Sequence, residues 1–407
     1  MIPKMKLTGS PFVWVSFAMA VGVMSTALIS PLYPLYKEAW HLIPSDVSMI
    51  YVIYMIGALC GLLFLGRLPE KLGFRRVMMW ALVFAVVGSL MSVFAWDMVS
   101  MSVARFIVGI SSTMMTTAAS KGLSALAPPG SIRKTAMITG FLIAFGFGLG
   151  PLLGGVMGQW LPYPLVLPYI PNIILGLVGL YALYCLAVPT HLTESAEGRG
   201  DFKVQDCLPK LTWTTPADSQ AFAITTGLPF LSFATFGLYA SMAPLFLDKM
   251  VPWHGPIVSG GTLAVILLLS AGVQITAGRL ATRVCGFWGL NALVGSSVLM
   301  MINLWLSSSV LFALGVLFTA CGHGMCMISG MSMVNRISQP HNRSGLLSTY
   351  LLIGYVGTIV PLLAMGWIAD HWGLSVSVIA FCSMIAILSG LIGTWFYRHP
   401  RMHFTSD

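Results

Sequence analysis

The sequence predicts an all-α polytopic membrane protein, with twelve transmembrane helices in two six-helix bundles. Three observations carry this. Of the 407 residues, 57% are hydrophobic and 8% charged, with a mean hydropathy of +0.87, a composition that excludes a water-soluble globular chain. The apolar residues fall in runs of roughly 20, the length that carries a helix across a bilayer core. Short motifs of the first half also recur in the second at a nearly constant offset.

In chain order, the first half reads as spans near residues 12–36, 47–66, 76–95, 98–121, 134–158 and 164–187. The first run is too long, and too weakly bounded by small residues, to be a cleaved signal peptide. Residues 189–220 then break the pattern with Glu194, Glu197, Arg199, Asp201, Lys203, Asp206 and Lys210, and read as a solvated cytoplasmic linker. The second half resumes near 221–246, 257–278, 287–306, 309–333, 345–369 and 374–397. The expected domains are therefore a bundle over 1–188, the linker over 189–220, and a bundle over 221–407. Gly66-Arg67-Leu68 recurs as Gly278-Arg279-Leu280, and Pro151-Leu152-Leu153 as Pro361-Leu362-Leu363. Each tripeptide alone is chance; their shared offset supports a duplicated six-helix unit.

A net charge of +9 raises the question of nucleic acid, but the cations are explained by topology. Arg67, Lys71, Arg75, Arg76, Arg279, Arg283, Arg336, Arg343 and Arg398 fall at span ends on one side, against Lys37 and Lys249 on the other. The positive-inside rule puts that side, and both termini, in the cytoplasm of an inner-membrane protein. Trp40, Trp96, Trp160, Trp253 and Trp372 mark the opposite interface. The seven cysteines lie in spans or on the cytoplasmic side, so no disulfide framework is expected; Cys207 has no partner motif.

The segment Gly66-Arg67-Leu68-Pro69-Glu70-Lys71-Leu72-Gly73-Phe74-Arg75-Arg76 joins two apolar runs and must turn them antiparallel. It resembles the cytoplasmic hairpin between the second and third helices of the major facilitator superfamily, roughly Gly-x-Leu-x-Asp-Arg-x-Gly followed by basic residues. Gly66, Leu68, Gly73 and the arginines match; Glu70 and Lys71 replace Asp and Arg. The resemblance implies a gate formed by Gly66, Glu70, Lys71, Gly73, Arg75 and Arg76, in which the acid meets cations or a helix N-terminus when the cytoplasmic side is closed. In the second hairpin Thr282 stands opposite Glu70, so its gate is expected to be weaker.

The fifth span holds Gly146-Phe147-Gly148-Leu149-Gly150-Pro151-Leu152-Leu153-Gly154-Gly155. Physically this is a helix suited to close packing and a kink. Its Gly150-Pro151-x-x-Gly154-Gly155 core also resembles the antiporter motif of drug-type exporters, which restricts leak; Met137 stands where the full pattern has a further glycine. The resemblance implies export and extends the gating set to Gly150, Pro151, Gly154 and Gly155.

Arg105 is the one charge well inside a span. Gly109, Ser112, Thr113, Thr116, Thr117 and Ser120 share its helical face, a polar stripe suited to an aqueous cavity. Arg105-x-x-x-Gly109 resembles the family's fourth-helix motif, whose arginine takes part in proton coupling; Val108 replaces its usual Gln. The alternative is an arginine bonded to loop carbonyls near the interface. No carboxylate is expected in the membrane core, so a cavity-facing Arg105 would have to find an anionic ligand, backbone carbonyls or water. His323 is the remaining core titratable group. Its ordinary pKa of about 6.5 suits proton exchange, and a hydrogen bond to a neighbouring helix is the equally weighted alternative.

Cys321 and His323 point about 160° apart on an ideal helix, so Cys321-x-His323-x-x-Cys326 is not expected to bind metal. No cofactor is expected. Thr26, Ser30, Tyr33, Tyr54, Phe236 and Tyr239 complete the expected cavity at the midplane. The resulting expectation is a secondary transporter working by alternating access, with the lipid bilayer, a small-molecule substrate and exchanged protons as partners. It would export a small anionic or zwitterionic organic solute such as a siderophore-like metabolite. An importer or uncoupled facilitator is the alternative within the class. A membrane sensor or enzyme is the alternative outside it, but no nucleophile–base set supports that.

Overall fold

A computed structural model describes residues 10–128, 131–186, 208–209, 211–247, 250–339 and 342–402. Among them every regular element is helical. Ten helical stretches are long and apolar enough to cross a membrane by length and composition, and Pro11–Met24 and Tyr169–Cys185 are shorter apolar helices. Chain contacts divide the protein into two compact units. One comprises Met1–Ile29 with Ile53–Pro209, the other Ser30–Val52 with Lys210–Asp407.

The first unit is built on α1 (Pro11–Met24), α5 (Phe74–Val93), α6 (Met98–Ala125), α7 (Ile132–Trp160) and α8 (Tyr169–Cys185), plus the last residues of α3 (Pro44–Cys60) and the short α4 (Leu68–Lys71). Met19 of α1, Val77 and Leu82 of α5, Met115 and Ala118 of α6 and Leu183 of α8 form its fully buried core. Lipid is as apolar as these side chains, so packing fit and internal hydrogen bonds rather than escape from water hold the helices together. Small residues provide the fit: a Cβ on Gly109 would strike the Tyr54 carbonyl and lie 2.7 Å from the Ala58 amide nitrogen. There α3 and α6 touch backbone to backbone. The α5–α6 turn is closed by a capping box in which Asp97 accepts from the Ser100 amide at 2.8 Å. The Ser100 side chain, then its amide, hold the Asp97 carboxyl below its usual pKa.

The second unit contains α2 (Tyr33–Trp40), the first residues of α3, α9 (Ser219–Gly237), α10 (Pro256–Ala277), α11 (Thr282–Leu306), α12 (Ser309–Ile337), α13 (Arg343–Trp372) and α14 (Leu374–Arg398). The first turn of α3 sits on the last turns of α13. The Ser45 amide donates to Asp370 Oδ1 at 3.2 Å, and a Cβ on Gly366 would come within 2.9 Å of Ser45 Cα.

Three spans differ from the unbroken helices expected. The first stops at Met24, runs as turns over 25–29 and restarts as a 3-10 turn at Ser30–Leu32, because Pro31 and Pro34 remove the amides a continuous helix needs. The second widens into a π-helix at Gly61–Leu65 before Gly66. The seventh does so at Leu238–Met242 and then tightens into a 3-10 turn at Ala243–Leu245 containing Pro244. Pro151 and Pro361, by contrast, lie inside continuous helices. Gly66 and Gly278 each close the second helix of their half with near-identical αR backbone, so the repeated tripeptides occupy equivalent places.

Residues 189–207 and 210 of the expected linker, Cys207 among them, lie outside the described residues. Its last stretch is anchored rather than solvated. Thr349 Oγ1 donates to the Thr212 carbonyl at 2.9 Å, Trp213 Nε1 donates to Ser219 Oγ at 2.7 Å, and Arg401 pairs with Asp218 at 3.1 Å.

Candidate functional site

Two clusters of interior polar residues, one in each unit, hold Arg105 and His323. In the first, α6 carries Arg105 two turns from its Asp97 cap. The side chain is 2% exposed. Its Nη1–H donates to the Ser25 carbonyl at 3.4 Å and its Nη2–H to the Thr26 carbonyl, while its Nε–H has no acceptor among the described residues. The guanidinium carbon lies 4.6 Å from the Tyr54 ring centroid.

These contacts follow from the break in the first span. Unwinding at 25–29 strips carbonyls of their helical donors, and a buried unsatisfied carbonyl costs about 1–3 kcal/mol. Arg105 supplies the donors. From another side Gly150 of α7 receives the Met24 carbonyl so closely that any Cβ there would collide with it, and Gly146 likewise faces the Ala20 carbonyl. The glycine motif thus seats α7 against the last turn of α1, and Arg105 fixes the residues that follow. Of the two arrangements expected for Arg105, the carbonyl-bonded one is present, deep in the protein rather than at an interface.

The rest of the α6 stripe satisfies itself. Thr116, Thr117 and Ser120 donate to the carbonyls four residues earlier, at 3.0, 2.8 and 2.6 Å. Ser112 and Thr113 are buried, whereas Thr116, Thr117 and Ser120 are partly exposed.

In the second cluster His323 of α12 has Nδ1 2.8 Å from Ser270 Oγ of α10, and Gln274 Nε2 donates to the same hydroxyl at 3.4 Å. Phe233 and Phe236 of α9 flank the imidazole, with ring centroids 6.3 and 5.8 Å away. One turn on, the Tyr239 hydroxyl faces the bonded Ser296–Thr319 pair. Ser30 and Tyr33 are fully buried in this unit. Sequence reasoning did not pick out Ser270, Gln274 or Phe233. The readable signal was the pair Ser270 and Gln274, two polar residues one helical turn apart in an otherwise apolar run.

In the hairpin, Gly73 has φ 79°, a left-handed backbone that favours glycine. Arg75 donates from Nε to the Leu183 carbonyl at 2.7 Å and from Nη2 to the Tyr184 carbonyl, so it caps the end of α8. Glu70 and Lys71 end the single-turn α4. The described carboxylates all lie towards helix ends or in the short α2 and α4: Glu38, Asp46, Glu70, Asp97, Asp218 and Asp370. Among the described residues no group of histidines, cysteines and carboxylates could hold a metal ion.

Comparison with known proteins follows the same lines. The sequence profile of the Major Facilitator Superfamily matches residues 15–329. An uncharacterised MFS-type transporter of Methanocaldococcus jannaschii is 20% identical over 95% of this chain and 98% of its own length. The multidrug efflux protein YfmO of Bacillus subtilis is 22% identical over 93% of this chain and 92% of its own. Among solved structures, an inward-facing, unoccupied bacterial homologue of the human lysosomal transporter Spinster matches with a TM-score of 0.71. It covers 97% of this chain and 98% of its own at 13% identity, a likeness of fold alone.

Proposed function

Because the chain belongs to the Major Facilitator Superfamily, whose members are transporters rather than enzymes, we propose that this multi-pass membrane transporter exports a small organic solute by alternating access. The observation that carries the reading is the broken first span, held at the Ser25 and Thr26 carbonyls by Arg105 and seated against Gly150. A discontinuous helix with a buried cation on its freed carbonyls is a place where a transport cycle can bend the chain. The likeness to a relative named for multidrug efflux, over nearly all of both chains, favours outward transport. The cation-rich helix ends favour a cytoplasmic placement of both termini. Glu70 is the proposed acid of the cytoplasmic gate.

For the solute, the Nε–H of Arg105 remains as the one unused donor of the only interior guanidinium among the described residues, and it supports a carboxylate-bearing or zwitterionic molecule over a simple lipophilic cation. For coupling, His323 on the Ser270 hydroxyl is the proposed proton carrier, the described carboxylates all lying towards helix ends or in the short α2 and α4. Everted vesicles test these together. Accumulation of a carboxylate-bearing solute, driven by an imposed pH gradient and competed weakly by lipophilic cations, is the expected result. Accumulation from the opposite face would make the protein an importer, and preference for the cation would remove the role of Arg105 in selection.

A further inference from the structure

Near the ends of α9 and α14 in the second unit lies a crevice of about 510 Å³ that the transport reading does not use. Its walls are two facing helical stripes, Gln220, Ala223 and Ile224 on α9 and Ile392, Trp395 and Arg398 on α14, and His399 follows Arg398 in its lining, with its Nδ1 accepting from the Arg401 amide at 3.2 Å. The spacings of three and four residues put each set on one face of its helix. Close contacts between the same two parts of the chain flank the crevice. On one side Gly227 meets Ile392, where an added Cβ would lie 2.7 Å from Cδ1. On the other Asp218, the N-cap of α9, pairs with Arg401 at 3.1 Å.

The charge inside is unbalanced. Arg401 is neutralised by Asp218, but Arg398 makes no hydrogen bond or ion pair among the described residues, and the remaining wall supplies no anion. The side of the crevice bears on the choice of occupant. Trp395 is 57% exposed and continues an apolar ladder at four-residue spacing with Ile387 (62%) and Leu391 (47%) on the outer side of α14. Such a face borders lipid, and a tryptophan at its end is placed as interfacial residues are. A cation at the head of an apolar slot opening onto lipid, beside an interfacial indole, fits an amphiphile whose anionic head precedes its chains.

The geometry points to a binding site for an anionic phospholipid, its phosphate on Arg398 and the start of one acyl chain along Ala223, Ile224 and Ile392. The site lies outside the two interior clusters, so it stands or falls independently of the solute and of the direction of transport. Native mass spectrometry of the full chain in detergent, titrated with phosphatidylglycerol, phosphatidylcholine or glycerol 3-phosphate, tests it. Wild type should retain phosphatidylglycerol about tenfold better than phosphatidylcholine. Arg398→Gln should lose that preference and Arg398→Lys should keep most of it. Ala223→Phe, which fills the slot from a helix-compatible position, should lower binding of both lipids. Equal phosphatidylglycerol retention by wild type, Arg398→Gln and Ala223→Phe would overturn the assignment. So would displacement of the lipid by glycerol 3-phosphate, which would mark a site for soluble anions.

Discussion

Arg105 donates to the backbone carbonyl of Thr26, so a guanidinium buried two turns inside one membrane helix acts as the missing hydrogen-bond donor of another. With Ser25 taken by the same side chain, the two sites at which a continuous helix would be self-sufficient depend on a residue about 80 positions away in sequence.

Arg105→Ala should therefore destabilise the protein. Each orphaned carbonyl costs about 1–3 kcal/mol, and Lys, with one point-like donor group, should restore only part of the loss. Thermal unfolding in detergent checks the order wild type above Arg105→Lys above Arg105→Ala. An Arg105→Ala midpoint equal to that of wild type would show that the clamp contributes nothing to stability.

The glycines give a contrast of sign. At Gly109 a Cβ must push α6 away from α3, and overpacking of this kind typically costs about 1–3 kcal/mol. At Gly140, in the third turn of α7, a Cβ meets nothing within 4 Å, so Ala should be neutral or stabilise by up to about 1 kcal/mol. If Gly109→Ala proves as stable as Gly140→Ala, the backbone contact between α3 and α6 is absent in the membrane.

If His323 carries the exchanged proton, His323→Gln should abolish transport driven by a pH gradient while leaving equilibrium solute exchange within about twofold of wild type. Ser270→Ala, which removes the Nδ1 partner, should shift the pH profile of transport without abolishing it. Gradient-driven efflux that survives His323→Gln would place coupling on another group.

Asp370 accepts from the first turn of α3, where a carboxylate also favours the positive end of the helix dipole. Asp370→Ala should loosen that end, and a cysteine placed at the fully buried Ser48 should then react several-fold faster with an impermeant maleimide. Unchanged labelling would mean that the Gly366 contact alone holds the two helix ends together.

Composition and periodicity were enough for the helical membrane architecture, because long apolar runs have few other physical solutions. The repeated Gly-Arg-Leu tripeptide was legible for a similar reason: it marks a backbone position, and Gly66 and Gly278 close their helices in the same conformation. The break at 25–29 was harder to see. Its residues are as apolar as a helix requires, and the signal lay in Pro31 and Pro34 downstream. Arg105 was singled out from its isolation, but its partners are main-chain atoms, which no residue pattern announces. The pairing of His323 with Ser270 joins α10 and α12, and periodicity within one helix carries no information about which neighbour it meets.

The segment Ser30–Val52 has a consequence for dissecting the chain. It belongs by its contacts to the unit of Lys210–Asp407, although it is synthesised long before that unit. The C-terminal half expressed on its own would lack Tyr33, Tyr36 and Tyr51, all buried in that unit, and the amide that Asp370 accepts from. A chain severed between residues 189 and 207 should accordingly give two fragments that mature only when co-expressed. Moving the cut cannot cure this, because the missing piece is an early hairpin lent to a late domain.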